Sequence, residues 1–71
     1  MVKLGEDIKT VPGFLTLRRV NLFEVENEVI ATTKHHQGSG NIASIALGEA
    51  LTLLGEDHSG KKGEYCHVLI L

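Results

Sequence analysis

The sequence predicts an α+β domain, a small and mainly antiparallel sheet in the order β-β-α-β with one helix packed across it. Three observations carry that expectation. Residues 14–25 (FLTLRRVNLFEV) can be laid out with period two along a strand, and residues 29–33 (VIATT) resume a β-branched run after a short polar break. Residues 41–54 (NIASIALGEALTLL) lack proline, are rich in alanine and leucine, and gather their apolar side chains on one half of a helical wheel.

The elements follow in chain order. Residues 1–10 are charged and either unassigned or an added edge strand, and Val11-Pro12-Gly13 is a turn, because proline presets φ and glycine accepts positive φ. In the strand at 14–25, Leu15, Leu17, Arg19, Asn21, Phe23 and Val25 share one face, with a frame slip expected near Arg18-Arg19-Val20-Asn21, as at a bulge. Glu26-Asn27-Glu28 should turn a hairpin into residues 29–33, since asparagine tolerates the left-handed conformation.

The helix over 41–54 has both ends specified: Ser39 or Asn41 can cap its first turn, and Gly55 stands where a left-handed C-terminal cap belongs. Ile42, Ala43, Ala46, Leu47, Ala50, Leu51, Leu53 and Leu54 form its apolar arc, opposite Ser44, Gly48 and Thr52. Glu49, its one charged side chain, needs a partner, and Arg18 or Arg19 can supply one. Residues 56–63 form a polar turn and residues 64–71 (EYCHVLIL) a final strand. Pairing that strand beside residues 14–25 gives the spatial order 2-1-3.

With 71 residues, the chain is a single domain over 1–71, near the size at which one core needs help from staples or partners. Cys66 is alone, so no intrachain disulfide helps, and a reducing cytoplasm is the expected setting. No secretory leader is read in the charged N-terminus, and no segment is long enough for a membrane helix. A formal charge of −2 and only Phe14, Phe23 and Tyr65 as aromatics make nucleic acid an unpromising partner. One helix cannot cover both sheet faces, so homo-oligomerisation is expected, with Leu69 inside a buried strand.

The chemistry concentrates in TTKHHQGSGN (32–41). Lys34, His35, His36, Gly38, Ser39, Gly40 and Asn41 lie where a strand would enter a helix N-terminus, whose free N–H groups and dipole favour an anion. The spacing matches neither a P-loop nor a complete G-x-G-x-x-G, which argues against those nucleotide folds. The expectation is therefore a homo-oligomeric binding module holding an anionic small molecule, phosphate or nucleotide-like, at 34–41, with no catalytic residue assigned and no cofactor identified. The alternatives are a structural or protein-interaction domain without a ligand, and a metal-binding or thiol-dependent protein using His36, His67 or Cys66. Adjacent side chains such as His35 and His36, or Cys66 and His67, diverge on a strand, and Cys66 reads best as a small buried hydrophobe.

Overall fold

The computed structural model describes residues 1–34 and 44–71, with the backbone alone described at Ser44. Five strands form a closed barrel: β1 (Val2–Leu4), β2 (Arg19–Val25), β3 (Glu28–Thr32), β4 (Ser44–Leu53) and β5 (Tyr65–Ile70). Their order around the barrel is β1-β3-β2-β4-β5. All neighbours are antiparallel except β1 with β3.

The α+β expectation is overturned, because the described part of residues 41–54 is strand β4 and no described residue is helical. Thr52 shows why. The helical wheel sets it on the polar side, yet it is fully buried together with Ala50 and Leu54, while Leu51 and Leu53 between them are half-buried. That is period two, the alternation of a strand lining a barrel. Alanine and leucine favour helix only weakly, and pairing on both edges outweighs that preference. Thr52 Oγ1 accepts from Arg18 N at 3.0 Å, so the interior hydroxyl is satisfied.

The expected order 2-1-3 fails for the same reason. β4 takes the place beside β2 that the final strand was expected to fill, with Arg19↔Leu51 and Val20↔Ala50 in register. β5 then pairs with β4 instead, with Leu51↔Leu69 and Leu53↔His67. β1 is a strand but not an edge, since Lys3 pairs with Ile30 on one side and Tyr65 on the other. Closure in this manner removes the sheet edges that an open α+β sheet would have to protect.

The hairpin is where the sequence places it. Val25↔Glu28 closes a two-residue loop in which Glu26 and Asn27 take φ of 52° and 68°, the two positive values of a type I′ turn. Residues before Arg19 leave the regular strand, although Thr16 still bridges Leu54. The expected frame slip exists but lies between Leu22 and Phe23, where Leu22 faces Gly48 and Phe23 faces Ala46. Gly48 has φ +115°, a value that favours glycine and lets β4 absorb the extra residue.

Val2, Leu4, Ile8, Val20, Leu22, Ala31, Ala50, Leu54 and Cys66 fill the barrel. The burial expected for Cys66 is found; that expected for Leu69 is not, for Leu69 is 56 % exposed on the outer face. The polar turn after β4 is sealed onto the barrel by Ile8 N donating to Gly60 O at 2.6 Å and by Lys62 N donating to Asp7 Oδ1 at 2.7 Å.

Candidate functional site

Strand alternation puts Arg19 and Asn21 on the outward face of β2, next to Glu49 on β4, which is the direct partner of Asn21. Arg19 Nε donates to Glu49 Oε1 at 2.8 Å, and Arg19 Nη2 donates to the same oxygen. The partner expected for Glu49 is thus Arg19, reached across two strands rather than from sheet to helix. Both side chains are well exposed, so the pair is of the surface kind, worth about 0–1 kcal/mol.

Beside this pair lies an open depression of about 230 Å³ lined by Arg19, Val20, Asn21, Thr33 and Glu49. The end of β3 forms its rim. Asn21 Nδ2 donates to Lys34 O at 3.2 Å, and Lys34 N donates to Thr32 Oγ1 at 3.2 Å. Glu6 locks this corner from below by accepting from Thr33 N at 3.2 Å and from both threonine hydroxyls, those of Thr32 and Thr33. Partial burial pushes the Glu6 carboxyl upward, but those hydrogen bonds and the nearby Lys34 charge outweigh it and hold it below the ordinary glutamate value.

Of the expected ligand residues, Lys34 is exposed, and its carbonyl oxygen accepts from Asn21, which lines the depression. His35, His36, Gly38, Ser39, Gly40 and Asn41 lie outside the described residues. The helix over 41–54 whose N-terminus was to favour an anion does not form, because Ser44–Leu53 is a strand. Side-chain charge and local backbone donors are what such a ligand would have left.

For the metal or thiol alternative, Cys66 is interior and its neighbour His67 is exposed, so they diverge. Burial pushes the Cys66 thiol above its ordinary pKa, the reverse of an activated nucleophile. Among the described residues no group of three or more His, Cys, Asp or Glu side chains is placed to hold a metal ion. His36, the other ligand considered, lies outside them.

Arg19, Asn21, Thr33 and Glu6 are missing from the residues chosen on sequence. The usable signal was the parity of β2, which places Arg19 and Asn21 on one face; nothing in the sequence ties Glu6 to Thr32 and Thr33, since that contact exists only once the barrel closes. Among the described residues, no helix is long and apolar enough to cross a membrane.

A family model described as the MoeA C-terminal region (domain IV) matches residues 1–71. No curated protein and no solved structure matches the chain.

Proposed function

The chain belongs to the MoeA C-terminal region (domain IV) family, and on that premise we propose that it is a small binding module of a molybdenum cofactor biosynthesis protein. Its ligand is an anion, held where β3 leads into residues 34–41, and its setting is the cytoplasm, in keeping with the unpaired Cys66. The observation that carries this reading is the meeting of Arg19, Asn21 and Thr33 around one depression, with the Glu49 carboxylate that Arg19 holds in the same lining and the Lys34 carbonyl accepting from Asn21 Nδ2 beside it. A guanidinium suits an oxyanion, which would compete there with the Glu49 carboxylate for Arg19. Molybdenum, the cargo of such a pathway, is itself an oxyanion in water as molybdate, and phosphate presents the same tetrahedral oxygens.

Thermal unfolding in molybdate or phosphate, against chloride at equal ionic strength, tests the reading. A ligand bound only by the folded chain raises Tm, because binding adds RT ln(1 + [L]/Kd) to stability. Arg19→Gln and Lys34→Gln should each reduce that rise. Equal Tm in all three salts would remove the anion from the proposal.

A second reading, a protein-interaction module, is favoured by the outer face of the sheet. Leu51 of β4 pairs with Leu69 of β5 on the side away from the core, and Leu17 is 53 % exposed. Apolar side chains set together on an outer face are commonly covered by a partner. Leu69→Asp should leave Tm within about 4 °C, since exposed substitutions typically cost under about 0.5 kcal/mol and 1 kcal/mol moves the Tm of so small a domain by about 4–8 °C. If it also abolishes molybdenum cofactor formation in cells while anion binding persists, this second reading takes precedence.

A further inference from the structure

The turn that carries the chain from β4 to β5 places one imidazole nitrogen between two groups that ask opposite things of it. Gly55 N donates to His58 Nδ1 at 3.2 Å, which requires that nitrogen to carry no hydrogen. Asp57 Oδ1 stands 3.3 Å from the same Nδ1, and a carboxylate is satisfied there only by a hydrogen on it. A neutral ring with its hydrogen on Nε2 serves Gly55; a protonated ring serves Asp57 and cannot accept from Gly55. The two partners therefore exclude each other. The reversal of the chain is held separately, by His58 N donating to Gly55 O at 3.1 Å, a backbone bond that neither form of the ring removes.

His58 is half-buried, whereas the Asp57 side chain is 90 % exposed and has room to move onto the ring. The other charge that faces the imidazole is the Glu64 carboxylate just before β5, and it is tied down by Ser59 N, Ser59 Oγ and Gly60 N. Both facing groups are anions, and among the described residues no lysine or arginine forms an ion pair with either. We propose that His58 is a proton-operated switch in this turn: neutral, it holds the Gly55 N–H; protonated, it releases that N–H and draws in the Asp57 carboxylate. Imidazole is the side chain whose charge ordinarily changes between about pH 5 and 8, so the exchange belongs to a physiological range. Its outward effect is at the tip of the turn, where Glu56 and Asp57 lie exposed side by side: protonation adds a positive charge and turns one of these carboxylates inward. Leu54, next in the chain, stays outside the exchange, because its N–H is committed to Thr16 O at 3.1 Å.

Imidazole nitrogen resonances and amide solvent exchange of the isotope-labelled chain, followed by NMR from about pH 8 to about pH 5, test this. At the upper end the ring is expected to carry its hydrogen on Nε2. As it protonates, protection of the Gly55 amide, corrected for the intrinsic pH dependence of exchange, should fall about tenfold, as the loss of one hydrogen bond implies. Protection of Leu54 should stay level, which a mere change of field near the ring would not distinguish from Gly55. His58→Asn, whose side-chain oxygen can accept from Gly55 without titrating, should keep that amide protected throughout. Asp57→Asn should move the midpoint of the step to lower pH, since the cation loses its carboxylate. The spectra of the unaltered chain decide the matter even where a variant folds poorly. A ring with its hydrogen on Nδ1 at the upper end, Gly55 protection that stays level while the ring titrates, or a midpoint indifferent to Asp57→Asn would overturn the proposal.

Discussion

At Gly60 the backbone holds φ at +75°, and an added β-carbon would stand 2.0 Å from the Ile8 carbonyl oxygen. Backbone cannot yield as a flexible side chain can, so Gly60→Ala combines a left-handed penalty with a clash at the hydrogen bond that seals the turn. It should cost about 2 kcal/mol or more, read from the urea midpoint at unchanged slope. Thr52→Val probes the interior from the other side. The shape is kept, but Arg18 N loses its acceptor, and a loss of about 1–2 kcal/mol is expected. A neutral outcome would mean that water satisfies Arg18. These two residues also mark what sequence can and cannot disclose. The Arg19–Glu49 pair was legible, because a lone carboxylate among apolar neighbours asks for a cation nearby; the role of Gly60 was not, since it depends on Ile8, distant along the chain.

Among the elements, the hairpin was legible and β4 was not. The hairpin is written locally, in a short polar break between two β-branched runs, and its turn uses Glu26 in a conformation that glutamate disfavours. Replacing Glu26-Asn27 by Asn-Gly should therefore stabilise the chain by about 0.5–1 kcal/mol, raising Tm without altering the slope of denaturant unfolding. No gain would mean that the Glu26 side chain makes up for the strain. β4 is written globally. Its composition suits a helix, and its two-residue alternation at Ala50, Thr52 and Leu54 shows only when threonine is allowed inside, a place that barrel closure makes acceptable by supplying Arg18 N. The expected buried Leu69 failed in company with it: with no helix to cover that face, the leucine points to the outside.

For the molecule as a whole, the strands are tied near their ends by carboxylates, and acid should loosen them together. Partial burial raises Glu6 and Glu64, but hydrogen bonds from Thr32 and Thr33 to the first, and from Ser59 and Gly60 to the second, hold both below the ordinary value; the Tyr65 hydroxyl, with Lys3, does the same for Glu28. Groups with depressed folded pKa values contribute stability that is full above the unfolded value of about 4.3 and is lost as pH falls through the folded ones. Tyr65, raised by its bond to Glu28, adds the opposite flank, a contribution present below about pH 10 and lost above it. Urea midpoints should accordingly fall below about pH 4.3, and Glu64→Gln should flatten that acid limb. An unchanged limb would assign the acid sensitivity elsewhere. A buried Cys66 and the antiparallel pairing of the hairpin could be read before folding, whereas barrel closure could not, because it depends on which edges remain free after every strand is placed.

The claim that matters most for function is that anions are held beside Arg19 and Lys34. Amide and side-chain NMR resonances followed during molybdate and phosphate titrations test it directly. Saturable shifts confined to Arg19, Asn21, Thr33 and Lys34 and the residues adjoining them are expected, with loss of saturation in Arg19→Gln. Shifts that grow linearly and scatter over the whole barrel, or saturable shifts gathered around Lys61 and Lys62 instead, would contradict it.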